Sequence, residues 1–161
     1  MDGTIAILID ADACPVKDEA YRVARRYGVP VKVVSNTWMN VPREPLIEQV
    51  VVGSGFDAAD DWIAERAGPA SIVVTADILL ADRCVKAGAT VLGPTGRPFD
   101  AASIGNAIAT RALMADLRAM GEANGGPPPF SKADRSRFLS ALDEAVNRLR
   151  RNLMFDTGHK R

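Results

Sequence analysis

The chain has 161 residues, 47% of them hydrophobic and 25% charged, and its 20 basic and 20 acidic side chains cancel to a formal net charge of zero. That is enough sequence for one domain with a real core, and the balance is ordinary for a soluble globular protein. No apolar stretch reaches membrane-spanning length and no signal peptide is visible, so no membrane partner is expected. Two lone cysteines, Cys14 and Cys84, fit a reducing cytoplasm rather than a disulfide framework. The only histidine is His159, within three residues of the end. Ser-His, Cys-His and His-rich zinc chemistry therefore lack a base or ligand, and any catalysis falls to carboxylates.

The first apolar run, Thr4 to Ile9, reads as a buried strand, and the acidic pair Asp10 and Asp12 ends it. A helix is expected from Pro15 to Tyr27, with Gly28 as its C-cap. Val29–Val34 is a second strand, residues 35–45 a polar loop, and Leu46–Val52 a third strand. Phe56–Ala67 reads as a helix and Ala70–Thr75 as a fourth strand. Ile78–Lys86 is a helix closed by Gly88, and Ala89–Leu92 is a fifth strand. The turn-rich segment 93–98 leads to a helix from Ala101 to Met120. Residues 123–129 read as a linker, and Ser131 to Arg151 as a last helix opened by a capping pair, Ser131 and Asp134. One domain over residues 1–151 with a mobile tail at 152–161 is expected.

Strands alternating with helices predict an α/β fold: a three-layer, mostly parallel five-stranded sheet with helices on both faces, plus two C-terminal helices. In such a sheet the strand C-termini share one edge. Asp10 and Asp12 end the first strand, Asp57, Asp60 and Asp61 open the helix after the third, and Asp77 follows the fourth. These clusters can converge where open α/β sheets bind ligands. Mutual repulsion opposes gathering them, and a hard cation such as Mg²⁺ or Mn²⁺ relieves it. Taken singly, Asp12, Asp57 and Asp77 also suit helix N-caps. Asp10 resists that reading because it ends a buried strand ahead of the cap position. Asp82 reads as a solvated helix residue, and Lys17 as a surface lysine able to face the same edge. Cys14 reads as helix-start packing, and Trp38, Phe56 and Trp62 as core or loop-anchoring aromatics. From Ser131 onward 8 basic residues stand against 4 acidic ones, which fits a polyanion-facing surface and equally a solvated helix.

Four strings, Asp10–Lys17, Gly55–Ile63, Thr75–Ala81 and Pro129–Phe138, together resemble the bacterial YaiI/YqxD family over nearly the whole chain. That family looks like a branch of the PIN-like nuclease superfamily, which includes the NYN ribonucleases. The resemblance implies a parallel sheet whose acidic residues bind Mg²⁺ or Mn²⁺ and cleave phosphodiester bonds. Asp10 matches the acid that ends the first strand, and Thr75-Ala-Asp77 matches the later Thr-x-Asp. Asp60 matches the intermediate helix acid, with Asp57 and Asp61 as rivals, and Asp12 is an extra carboxylate of the family's own motif. A fourth acid found in many PIN domains has only Asp82 as a counterpart. The implied partner is nucleic acid, RNA rather than DNA, with Lys132, Arg135 and Arg137 as phosphate contacts and Lys17 as an added charge. Two other readings compete: a haloacid-dehalogenase-like phosphatase with Asp10 as nucleophile, and a non-catalytic RNA-binding module.

Overall fold

The computed structural model describes residues 4–53, 55, 57–119 and 130–159. The expected linker at 123–129, and Phe56, lie outside them. The strands are β1 (Ala6–Asp10), β2 (Val31–Ser35), β3 (Ile47–Val51), β4 (Ser71–Val74), β5 (Thr90–Leu92) and β6 (Pro98–Phe99). The helices are α1 (Lys17–Tyr27), α2 (Ala58–Arg66), α3 (Ile78–Lys86), α4 (Ala101–Ala119) and α5 (Lys132–His159). The sheet order is β3-β2-β1-β4-β5-β6. The first five strands run parallel and β6 returns antiparallel to β5.

The alternation of side chains along each strand builds the layers. Ile7 and Ile9 of β1 and Ile72 and Val74 of β4 face one core, shared with Val23 of α1 and Phe138 and Leu142 of α5. Leu8 and Val73, one residue out of phase, face the other core with Ile63 of α2 and Leu80 of α3. On α5 the buried residues Phe138, Leu142, Ala145, Val146 and Leu149 recur at helical spacing and form one apolar stripe.

Three expectations about the elements need correction. The sheet has a sixth strand, because the turn at 93–97 closes a short hairpin: the Gly93 N–H donates to the Arg97 carbonyl at 2.9 Å. Pro98 is tolerated there because β6 is an edge. The first helix starts at Lys17 rather than Pro15, since a single 3-10 turn, Ala11–Ala13, intervenes after β1. The last helix runs past Arg151 to His159. Gly28, at φ +66°, closes α1 as expected, and Ser131 and Asp134 exchange backbone-to-side-chain hydrogen bonds at the start of α5. Trp62 packs against the second core beneath the Arg66 guanidinium, 3.9 Å from its ring centre. Trp38 departs from expectation: it is 70% exposed, and its loop is anchored instead by Met39 and Val41 on the first core.

Candidate active site

The chain leaves β1 toward β2 and β3, then crosses back to lay β4 on the other side of β1. Connections leaving β1 and β4 therefore diverge and open a crevice at the carboxyl ends of these strands, the usual ligand position in open α/β sheets. Asp10 is the last residue of β1 and shares the face of Leu8. Thr75 follows β4 and shares the face of Val73. Both project toward the side covered by α2 and α3.

There Thr75, 2% exposed, links the Asp10 carboxylate to the Asp77 backbone. Its hydroxyl donates to Asp10 Oδ2 at 2.7 Å and accepts the Asp77 N–H at 3.0 Å. Asp77 in turn caps α3, its Oδ1 accepting the N–H groups of Leu79 and Leu80 at 2.9 and 3.2 Å. On the facing helix, Asp57 and Asp60 complete the lining of a cleft of about 720 Å³ that also holds Asp12 and Arg83. The five aspartates thus share one cleft.

Burial first, and charge crowding second, act on two of them. Burial pushes the Asp10 carboxyl above its ordinary range; the Thr75 hydrogen bond opposes this, and the charges of Asp77 and Asp12 add to it. Asp60 is pushed up to about 6 by burial and by Asp77, Asp10 and Asp57, with Arg83 pulling the other way. Arg83 pairs with Asp61 at 2.9 Å, and Asp61 does not line the cleft. Sequence reading missed Arg83, because its partner lies 22 residues earlier on a separate helix.

Capping explains Asp77 but not its neighbours. Asp57 stands at the N-cap position of α2 without a side-chain bond to that helix. Val16, not Asp12, precedes α1, and Asp12 Oδ2 accepts the Asn36 N–H at 3.2 Å across the edge. Asp82 pairs with Lys86 at 2.9 Å. Lys17 does not line the cleft: its ammonium donates to the carbonyls of Cys14 at 2.8 Å and Ala11 at 3.4 Å, and so holds the turn between β1 and α1. Cys14 lines the cleft, but burial raises its thiol above the ordinary value and leaves it a packing residue.

The basic residues of α5 begin at the same sheet edge, on the opposite face. Arg135 donates to the Pro15 carbonyl at 2.7 Å, stands 3.6 Å from Glu19, and lies over the Phe130 ring. Arg137 pairs with Asp134, and Lys132 is exposed. Gly96, in the turn after β5, meets this helix start so closely that a Cβ would stand 2.6 Å from the Arg137 carbonyl.

Among the described residues, no three His, Cys, Asp or Glu side chains stand close enough to hold one ion together. The donors are all carboxylate oxygens, which suit a hard cation. Mg²⁺ keeps several of its waters and binds through one or two carboxylates, so Asp10 and Asp77 would supply enough donors of the right kind for it. Among the described residues no helix is long and apolar enough to cross a membrane.

A family model described as "Uncharacterized BCR, YaiI/YqxD family" matches residues 8–148. A UPF0178 protein of Sphingopyxis alaskensis is 72% identical over 148 residues, 91% of this chain and 96% of the relative. One from Nitrobacter winogradskyi is 62% identical over 147 residues, 91% and 94% of the two chains. One from Bradyrhizobium diazoefficiens is 59% identical over 150 residues, 93% and 90%. No solved structure matches the chain. A match over most of the length, with relatives of similar size at this identity, places the chain in the YaiI/YqxD family of UPF0178 proteins.

Proposed function

We propose that the chain is a divalent-metal-dependent nuclease that hydrolyses phosphodiester bonds in single-stranded RNA at the acidic cleft. The observation that carries this is the convergence of Asp10, Asp12, Asp57, Asp60 and Asp77, from three separate stretches of sequence, on one cleft at the sheet's switch point. No packing force gathers carboxylates; burial first, and neighbouring carboxylates second, push Asp10 and Asp60 upward, and a bound cation would relieve both. The resemblance to PIN-like nucleases supports the same reading.

In this reading Asp10, Asp60 and Asp77 would hold Mg²⁺ or Mn²⁺, and Asp12 and Asp57 would add negative potential around it. When bound, the cation supplies activation of an attacking water and neutralises charge on the scissile phosphate. Thr75 fixes the Asp10 carboxylate by donating to one oxygen, leaving the other free to turn to the cleft. Lys17 keeps the 3-10 turn in place and so fixes where β1 delivers Asp10 and Asp12. Lys132, Arg135 and Arg137 supply a basic approach beside the same edge for the RNA backbone. None of these roles calls on a histidine. The test is incubation of labelled single-stranded RNA with purified protein in Mn²⁺. Cleavage is expected, and it should vanish in EDTA and in Asp77→Asn. An aspartyl phosphate trapped at Asp10, with no RNA cleavage, would assign phosphatase chemistry instead.

A further inference from the structure

Trp38 stands on the loop that leaves the C-terminal end of β2, at the same sheet edge as the cleft. Its side chain is 70% exposed, although an indole is among the most favourable groups to bury. The backbone around it is not loose. On one side the Ser35 hydroxyl donates to the Thr37 carbonyl at 2.7 Å, and on the other the Met39 N–H donates to Gln49 Oε1 at 2.7 Å. Met39 turns into the core while Trp38 is left in water. The same loop is tied to the cleft, because the Asn36 N–H donates to Asp12 Oδ2 at 3.2 Å. Trp38 is two steps along the chain from Asn36, a reach of about 7 Å. Leu79, 60% exposed, lines the cleft itself, so this edge presents two bare apolar side chains beside its carboxylates.

We propose that Trp38 is the stacking platform for an unpaired base of the nucleic acid whose backbone lies over the acidic cleft. This rests on the nuclease reading and deepens it, since it names the feature by which single strands are selected. Adjacent strands lie about 5 Å apart, so β2 carries its loop about 10 Å from the end of β4. A base held there leaves its chain running across β1 and β4, over Asp10 and Asp77. Every base has a π-face, so the platform accepts any sequence but only bases freed from a duplex.

The experiment uses the full chain in EDTA, where cleavage cannot interfere. Anisotropy measures binding of a fluorescein-labelled single-stranded RNA to wild type, Trp38→Ala and Trp38→Phe. Loss of one base stack predicts roughly tenfold weaker binding for Trp38→Ala, with Trp38→Phe staying near wild type. RNA should quench the intrinsic fluorescence of wild type, and that quench should disappear in Trp38→Phe, whose remaining indole is Trp62. An RNA with an abasic site at the stacked position should bind wild type and Trp38→Ala alike. Equal affinity in all three proteins with the quench unchanged overturns the assignment and leaves Trp38 to a protein partner. A wild-type protein that binds no RNA also overturns it. Stacking without cleavage in Mn²⁺ sustains this assignment while removing the nuclease reading, and cleavage with no Trp38 effect does the reverse.

Discussion

The hydroxyl of Thr75 has one proton, and Asp10 takes it; its lone pair takes the Asp77 N–H. Thr75→Val keeps the shape and removes both bonds, leaving a buried donor and acceptor unpartnered. A loss of about 1–3 kcal/mol is expected, read from chemical denaturation, and unchanged stability would contradict the arrangement. Asp60 makes a pH prediction. Its folded-state value of about 6 lies above the ordinary carboxyl value of 3.8, so between these pH values the folded protein holds a proton that the unfolded chain has released. Metal-free stability from this group therefore falls as pH rises through that window. Asp60→Asn should match wild type near pH 4 and become the more stable protein by pH 7, as thermal melts in EDTA would show. A gap that stays constant with pH would count against the charge crowding. At this scale the sequence was informative about which carboxylates line the cleft, because Asp10 ends a buried strand and Thr75-Ala-Asp77 repeats that placement at β4. It was silent on Arg83 and on the Asn36 contact to Asp12, since both join residues far apart in the chain.

At the scale of elements, α5 is seated on the face of the sheet opposite the cleft. The turn after β5 approaches the start of α5 at Gly96, whose φ of +87° and closeness to the Arg137 carbonyl both exclude a side chain. Gly96→Ala is expected to cost about 2 kcal/mol or more, in a melt or denaturant titration. A neutral result would mean that the turn moves freely from the helix. Farther along, Asp143 accepts from Arg26 at 2.6 Å and from the Tyr27 hydroxyl at 2.9 Å, while the Asn147 amide donates to the same hydroxyl at 3.0 Å. These bonds fix α5 lengthwise on α1. The strands and central helices were legible because their apolar periods are clean; Ile78–Lys86 was read with the bounds it has. The sixth strand was not, because two residues carry no period and Pro98 argues for a loop. The true start of α1 was hidden by the 3-10 turn, which has the composition of a helix start.

Across the whole molecule, the sheet order creates the crevice and α2 and α3 close one side of it. The basic start of α5 and the exposed Trp38 border the same edge. The zero net charge therefore conceals a cluster of carboxylates at this edge, while Arg135 and Arg137 beside it stand near Glu19 and Asp134. Placing the acids on one edge was within reach of the sequence, since parallel strands share their C-terminal ends. The exposure of Trp38 was not, because Met39 and Val41 anchor the loop in its stead and one pattern of loop residues permits either. A cation at the cleft should stabilise the fold by about 2.7 kcal/mol at 100 times its Kd. The most direct measurement is anomalous diffraction from crystals of the protein soaked in Mn²⁺. An Mn²⁺ peak is expected between Asp10, Asp60 and Asp77 in wild type and none there in Asp10→Asn. Saturating Mn²⁺ with no peak in the wild-type cleft, or a peak that survives in Asp10→Asn, would contradict a cation site there.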